Sequence, residues 1–272
     1  MASAQQPDVL RLDVAIAKRA LMASRQKAQQ AIADNLVYVN GKLAGKPSIP
    51  VGLEDQIEIR GGTLRYVSRG GLKLERALER FDISLQGAVA MDCGASTGGF
   101  TDCMLQNGAR RVFAVDVGHD QLAPKLRQDE RVVSLEGVNA RHLTREQIPE
   151  PLDFVSIDVS FISLDLILPA ITPLLGTGAQ VVCLIKPQFE AGAQRVGKKG
   201  VVRDGRVHVD VIQKVFATAG AAGYQVRGLT HSPIRGPEGN IEYLGWLVFD
   251  SSLPDSEPIR IEQVVSLAHS LL

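Results

Sequence analysis

Residues 72–272 alternate short apolar runs with helical patterns, and this alternation constrains the fold more than any other feature of the chain. Short apolar runs between turn signals are typical of buried strands in a parallel sheet. Strands that alternate with helices indicate an α/β fold with a doubly wound, Rossmann-like sheet. Seven strands are predicted, the last antiparallel to its neighbours: AVAMDCG, RVFAVDVG, RVVSLEG, LDFVSIDVSF, AQVVCLIKP, YQVRGLTHSPI and IEYLGWLVFD.

Residues 1–60 are expected to form a separate small α+β domain. Two stretches with helical spacing, RLDVAIAKRAL and RQKAQQAIADN, precede LVYVNGKLA, in which Asn40-Gly41 is a strong hairpin signal. The alternating DQIEIR closes the domain with one more strand. The glycines of GGTLRYVSRGG then indicate a linker at residues 61–71, which leaves 72–272 as the second domain.

Positive charge is concentrated near the N-terminus, although the formal net charge of the whole chain is zero. Residues 1–80 hold 13 Lys and Arg against 8 Asp and Glu. Such a surplus on consecutive helices can bind RNA phosphates, and the alternative interpretation is a solvated basic surface. The candidate RNA contacts in this part are Arg11, Lys18, Arg19, Arg25 and Lys27.

Composition argues against several classes of protein. Hydrophobic residues make up 45% of the chain, and no apolar run approaches the ~18–20 residues of a membrane span. The N-terminus lacks the apolar core of a signal peptide, so a cytoplasmic location is expected. Cys93, Cys103 and Cys183 have no metal-ligand spacing, and neither a metal site nor a disulfide is expected.

The first predicted strand of the second domain leads into DCGASTGGF, a glycine-rich turn before a helix. Such a turn lets a ligand approach the backbone closely. A dinucleotide fingerprint would require glycine where Ser96 stands, whereas Asp116 is well placed to bind a ribose. This combination favours an adenosine-type ligand such as S-adenosylmethionine. The alternative is that Gly98 and Gly99 only form the turn and Asp116 only caps a helix.

Polar residues gather at one edge of the predicted sheet. Asp158 ends the fourth strand and Lys186 ends the fifth, while Glu242 begins the antiparallel last strand. These positions lie at the carboxyl edge, where open α/β sheets bind their ligands. Lys73, on the helix that leads into the domain, could reach the same edge, although its position alone would also suit a surface lysine.

The chain resembles two known families. Residues 1–60 resemble the α-L RNA-binding module through RLD, SRQKAQQAI, VYVNG and DQIEIR. Nearly the whole chain resembles the TlyA family of ribosomal RNA cytidine 2′-O-methyltransferases, also known as haemolysins, which have an FtsJ-like catalytic domain. The motifs that carry this second resemblance are VSRGGLKL, DCGASTGGFTD, AVDVGHDQLA, NAR, DVSFISL, IKPQFEAG, VGKKGVVRD and SPIRGPEGNIEY.

The resemblance implies an activity, a cofactor and a set of site residues. It implies S-adenosylmethionine-dependent 2′-O-methylation of ribosomal RNA, with ribosomal RNA or ribosomal subunits as partners. The implied catalytic tetrad is Lys73, Asp158, Lys186 and Glu242. The implied cofactor contacts are Asp92, Gly94, Ser96, Thr97, Gly98, Asp116 and Asn139. Further RNA contacts are expected from Arg69 in the linker and from Arg195, Lys198 and Lys199 in the loop at residues 190–205.

Three alternatives to this function are weighed against the residues. An RNA base methyltransferase would be expected to show an Asn-Pro-Pro-aromatic stretch where DVSF stands, or a loop cysteine, but Cys183 lies in an apolar strand. A non-catalytic assembly factor that binds ribosomal RNA would not need the complete tetrad. A membrane-active haemolysin would need a span or a cationic amphipathic helix. The role of Lys186 also stays open between general base and positioning charge.

Overall fold

The computed structural model describes residues 9–22, 24–33, 36–59, 65–250, 252, 254 and 257–272. The chain divides into two compact units, Met1–Arg65 and Tyr66–Leu272. Residues 61–64 of the predicted linker lie outside the described residues. Each unit has a hydrophobic core of its own.

The described residues of the N-terminal unit form two helices and two small antiparallel sheets. Its elements are β1 (Leu10–Arg11), α1 (Leu12–Lys18), α2 (Arg25–Ala33), β2 (Val37–Val39), β3 (Lys42–Leu43), β4 (Pro50–Val51) and β5 (Ile57–Ile59). β1 pairs with β4, and β2 lies between β3 and β5. Asn40 and Gly41 join β2 to β3 with φ of 50° and 77°, which is the backbone that a two-residue hairpin requires. The predicted hairpin is therefore present.

The C-terminal unit is an α/β domain. Its elements are α3 (Gly70–Phe81), β6 (Val89–Cys93), α4 (Gly99–Gln106), β7 (Arg111–Asp116), α5 (Pro124–Arg127), β8 (Val132–Glu136), β9 (Leu152–Ile157), α6 (Leu164–Ile171), β10 (Leu175–Ile185), α7 (Pro187–Glu190), α8 (Gly205–Ala221), β11 (Gln225–His231), β12 (Tyr243–Phe249) and α9 (Ile261–Leu271). Short 3-10 turns cover residues 140–142, 172–174, 193–195 and 237–239.

The seven strands of this unit form one sheet in the order β11-β12-β10-β9-β6-β7-β8. β12 runs antiparallel to both of its neighbours, while β6 to β10 pair in parallel. The predicted fold class is confirmed, including the antiparallel last strand. Apolar clusters lie on both faces of the sheet, which explains why the central strands are continuous apolar runs.

The sheet order fixes where the candidate site lies. β6, β9 and β10 are adjacent in the centre of the sheet, and their carboxyl ends share one edge. Because β12 runs the opposite way, its first residues lie at that same edge. Residues that follow β9 and β10 and residues that precede β12 are therefore brought together.

Candidate active site

The four predicted catalytic side chains converge at the carboxyl edge of the sheet. Asp158 directly follows β9, Lys186 directly follows β10, and Glu242 directly precedes β12. Lys73 comes from the first turn of α3. The four groups form two ion pairs, Lys186 with Asp158 and Lys73 with Glu242. The charge of Asp158 also acts on Lys73, so the two pairs form one electrostatic cluster.

Lys186 has an acceptor for each of its three N–H donors. Its Nζ lies 2.5 Å from Asp158 Oδ1, and it donates to the Val159 carbonyl at 2.9 Å and to Ser160 Oγ at 3.1 Å. The lysine side chain is only 8% exposed. Pro187 begins α7 directly after it, which ends the strand there and holds the lysine at the edge.

Lys73 and Glu242 form a second, deeper pair. Lys73 Nζ donates to Glu242 Oε2 at 2.6 Å, and the Glu242 side chain is fully buried. Burial lowers the pKa of Lys73, but the attraction of Asp158 and Glu242 outweighs it, so the pKa of this lysine lies above its ordinary value. Lys73 is therefore a fixed positive charge at neutral pH.

Asp158 is held ionised by its two lysine neighbours. Burial raises the pKa of its carboxyl, and the charges of Lys186 and Lys73 outweigh that effect, so the pKa lies below its ordinary value. A carboxylate between two ammonium groups can only accept hydrogen bonds. Asp158 therefore orients the lysines and does not supply a proton at neutral pH.

A cavity of about 490 Å³ lies beside this cluster, and we call it the Asp116 cavity. Its lining includes Gly94, Ser96, Asp116 and Asn139 among the predicted cofactor contacts. Gly94 has a φ of +90°, and a Cβ there would lie 2.5 Å from the Asp158 carbonyl oxygen. Only glycine therefore allows the turn after β6 to lie against the end of β9.

Asp116 organises the floor of this cavity. Its Oδ2 accepts a hydrogen bond from Ser96 N at 2.7 Å, and its Oδ1 accepts one from Gly118 N at 2.7 Å. Each carboxylate oxygen has a second lone pair, so the group can still accept bonds from a ligand diol. Asn139 caps the 3-10 turn at residues 140–142 by accepting from Arg141 N at 3.1 Å.

The other three predicted cofactor contacts lie elsewhere. Thr97 and Gly98 are in the turn before α4 and do not line the Asp116 cavity. Asp92 is fully buried in β6, where it accepts hydrogen bonds from Thr101 N at 2.8 Å, Thr101 Oγ1 at 2.7 Å and Ser156 Oγ at 3.2 Å. Burial raises the pKa of Asp92 to about 7. Asp92 thus anchors the start of α4 from beneath the glycine turn.

A second cavity of about 340 Å³ adjoins the first, and we call it the Gln188 cavity. Ser160 and Phe161 line both cavities, and Lys186 and Glu242 line the second. The Lys186 ammonium group therefore lies beside the boundary between two spaces. One space has an acidic group suited to a ribose, and the other is mostly apolar.

Phe161 is an unusual residue at this boundary. Its side chain is 90% exposed, and its φ of +64° is in the left-handed region that bulky residues rarely adopt. Its ring lies 4.8 Å from the ring of Phe189, which also lines the Gln188 cavity. Strained backbone of this kind is concentrated at functional sites, and the exposed ring of Phe161 beside the half-buried Phe189 can contact a nucleobase.

All three predicted RNA-binding arginines of the N-terminal unit have bonds within that unit. Arg11 and Arg25 donate to the buried carboxylate of Asp13, and Arg19 donates to the Gly52 and Asp55 carbonyls. Burial raises the pKa of Asp13, but hydrogen bonds from Arg11, Gln29 and Arg25 outweigh it and hold the pKa below its ordinary value. Lys18 and Lys27 are exposed.

The remaining predicted RNA contacts lie in the C-terminal unit. Arg69 is half-buried immediately before α3. Arg195, Lys198, Lys199 and Arg203 line one cavity of about 370 Å³ in the loop at residues 190–205. Asn240 ties this loop down by accepting from Val202 N at 3.2 Å and donating to the Gly200 carbonyl at 2.9 Å. The basic loop is therefore anchored two residues from Glu242.

Several site residues were not identified from the sequence. Gln188, Phe189 and Phe161 line the Gln188 cavity, and Gly236 packs directly against the Glu242 carboxylate. Phe161 is the last residue of the predicted strand LDFVSIDVSF, and Gln188 and Phe189 directly follow the predicted strand AQVVCLIKP. Their position just past a carboxyl edge was the signal that could have indicated them.

Across the described ranges, no helix is both long and apolar enough to span a bilayer. No group of His, Cys, Asp and Glu side chains in the same ranges has the arrangement of a metal site.

The sequence also matches two family models. Residues 66–249 match the FtsJ-like methyltransferase family, and residues 10–57 match the S4 domain. The first match spans most of the C-terminal unit, including all four residues of the charged cluster. The fold and the charged edge thus define an FtsJ-like methyltransferase domain that follows an S4 domain.

Similar proteins cover nearly the whole chain. "Putative rRNA methyltransferase YqxC" of Bacillus subtilis is 48% identical over 96% of this chain and 95% of the relative. "16S/23S rRNA (cytidine-2'-O)-methyltransferase TlyA" of Mycobacterium tuberculosis is 43% identical over 87% of this chain and 89% of the relative. A solved structure, "Putative hemolysin from Streptococcus thermophilus", is 46% identical, covers 98% of both chains and has a TM-score of 0.78. The chain belongs to the TlyA family.

Proposed function

We propose that this protein transfers a methyl group from S-adenosylmethionine to the ribose 2′-hydroxyl of a cytidine in ribosomal RNA. The observation that carries the proposal is a cluster of two lysine–carboxylate ion pairs beside two adjoining cavities. The M. tuberculosis relative, whose name states this reaction, supports the choice of ribose and cytidine.

The residues of the Asp116 cavity suit the methyl donor. Its volume of about 490 Å³ is within the usual range for a small-molecule site. Asp116 is an acceptor for the ribose hydroxyls of the donor, and Gly94 leaves the backbone open beside it. When bound, S-adenosylmethionine supplies an electrophilic methyl group. In this proposal Gly94, Ser96, Asp116 and Asn139 bind it directly, while Asp92 acts through α4.

The cluster next to the boundary holds the hydroxyl that receives the methyl group. A ribose hydroxyl is a poor nucleophile, so it must be oriented and its proton must be drawn away. In this proposal Lys186 gives up its hydrogen bond to Ser160 Oγ and binds the ribose hydroxyl instead. Ser160 is the acceptor to release because the other two are the Asp158 carboxylate and the Val159 carbonyl. Asp158 keeps the Lys186 side chain in place through their ion pair. Lys73, held by Glu242, is a second positive charge that keeps Asp158 ionised.

The role of Lys186 in moving the proton is testable by pH. A lysine that accepts the hydroxyl proton must first lose its own, so turnover would rise through the alkaline range in which an amine deprotonates. A lysine that only positions the hydroxyl would leave turnover flat over the same range. The pH profile of single-turnover methylation at saturating S-adenosylmethionine separates the two roles.

RNA recognition is assigned to both units. In this proposal the S4 domain binds ribosomal RNA, and the exposed Lys18 and Lys27 contact phosphates. The loop cavity of Arg195, Lys198 and Lys199 contacts phosphates beside the target nucleotide, since Asn240 anchors the loop near Glu242.

A nucleoside analysis tests the proposal against its rivals. Purified protein is incubated with labelled S-adenosylmethionine and ribosomal RNA, which is then digested to nucleosides and analysed by mass spectrometry. We expect the label in 2′-O-methylcytidine. Label in a base-methylated nucleoside would support a base methyltransferase, and no transfer to naked RNA or to either ribosomal subunit would support a non-catalytic assembly factor.

A further inference from the structure

The Gln188 side chain lies between the charged cluster and the Gln188 cavity. Its Nε2 donates to Glu242 Oε1 at 3.4 Å, while the other oxygen of Glu242 accepts from Lys73. Gln188 also lines the cavity that adjoins the proposed methyl-donor site. A single amide group therefore connects the catalytic carboxylate to the space available for a substrate.

The orientation of this amide follows from its neighbour. The Glu242 carboxylate, ion-paired with Lys73, can only accept hydrogen bonds, so the amide must present its NH₂ group to it. Turned the other way, the amide would bring two oxygens together. Gln188 Oε1 is therefore directed away from Glu242 as a hydrogen-bond acceptor.

This acceptor has no partner within the described part of the chain. Gln188 Oε1 is buried and no described donor bonds to it. The nearby ammonium group of Lys186 does not supply one, because Asp158, Val159 and Ser160 use its three donors. A buried acceptor that has no bond to give up gains a full hydrogen bond when a donor reaches it. A molecule bound in the Gln188 cavity can supply the missing donor.

We propose that Gln188 Oε1 accepts a hydrogen bond from the exocyclic amine of the target base and so selects cytidine over uridine. This inference rests on the proposed function. Cytosine carries an N4 amine at the position where uracil carries the O4 carbonyl, so uridine would bring one acceptor against another. The neighbouring rings of Phe161 and Phe189, tilted by 51° with their centroids 4.8 Å apart, offer aromatic contact to any base, and the amide supplies the discrimination.

The experiment uses the nucleotide that wild-type protein methylates in a ribosomal RNA transcript. Three transcripts carry cytidine, uridine or pyrimidin-2-one riboside at that position, the last of which lacks the amine without adding an acceptor. For wild type we expect kcat/KM to fall about 10- to 100-fold with uridine and by at least 10-fold with pyrimidin-2-one riboside. Equal rates on all three transcripts would overturn the inference.

The variant Gln188→Leu separates specificity from positioning. If the amide selects the base, the variant loses most of its preference for cytidine over uridine. If Gln188 only positions Glu242, the variant slows on both transcripts by the same factor and the inference is wrong. Binding of S-adenosylmethionine and thermal unfolding check that the variant folds. If it does not, the three transcripts with wild type still test the predicted preference for a base that carries the amine.

Failure of the proposed function would be recognised separately. If wild type forms no 2′-O-methyl group on any transcript, the proposed function falls and the inference with it. If wild type forms 2′-O-methyl groups equally on cytidine and uridine, only the role of Gln188 falls.

Discussion

Replacing Gly236 with alanine should disable the charged cluster while leaving the cofactor site intact. A Cβ at this position would lie 2.1 Å from Glu242 Oε1 and 2.5 Å from Glu242 Cδ. Ordinary contact needs about 3.5 Å, so the carboxylate must move by about 1 Å or more. It is fully buried and bonded to Lys73 and Gln188, so such a movement breaks or lengthens these bonds. A shift of 1 Å at a reacting centre costs on the order of 100-fold in rate.

The same substitution should lower stability by about 1–3 kcal/mol, the usual cost of overpacking. Gly220→Ala is the matched control. A Cβ added at this position of α8 has open space around it, with nothing within 4 Å, and alanine favours a helix. We expect methyl transfer to fall about 100-fold in Gly236→Ala, with the affinity for S-adenosylmethionine within about twofold of wild type. Full turnover in this variant would show that the position of Glu242 does not matter, and the reasoning would be refuted.

Three further predictions address other parts of the molecule. Gly94→Ala should weaken binding of S-adenosylmethionine at least about tenfold by calorimetry, because its Cβ would meet the Asp158 carbonyl and its φ is +90°; unchanged affinity would argue against the Asp116 cavity as the donor site. Because the pKa of Asp92 is raised to about 7, the folded chain keeps a proton that the unfolded chain has already lost above about pH 4. The free energy of unfolding of wild type should therefore fall as pH rises from about 4 to 7. Denaturant titrations of Asp92→Asn should lack this pH-dependent loss of stability. Lys198→Ala with Lys199→Ala should weaken RNA binding and reduce the slope of log K against log salt by about one per lost phosphate contact, whereas the exposed Arg145→Ala should leave that slope unchanged.

Strand positions and sheet topology could be predicted because burial on both faces demands continuous apolar sequence. The run before Lys186 became β10, and the two C-terminal runs became the antiparallel pair β11 and β12. The convergence of Asp158, Lys186 and Glu242 followed from the same topology, since strand ends at one edge must be neighbours. Lys73 was different. Its helical position suited a surface lysine equally well, and only the family resemblance indicated the site.

Features that depend on loop conformation could not be predicted. The left-handed backbone of Phe161 and the packing of Gly236 on Glu242 require coordinates, because local sequence does not fix how two distant loops meet. The resemblance alone placed Asp92 among the cofactor contacts, and only coordinates show that its side chain bonds to Thr101 and Ser156.

The central claim is that the lysine at the end of β10 drives methylation of a ribose oxygen. The most direct test maps 2′-O-methyl groups on ribosomal RNA after reaction with wild type and with Lys186→Ala, with binding of S-adenosylmethionine measured for both proteins. We expect the variant still to bind S-adenosylmethionine but to leave no 2′-O-methyl mark where wild type leaves one. Marks of equal yield from the variant, or wild-type marks only on bases, would contradict the central claim.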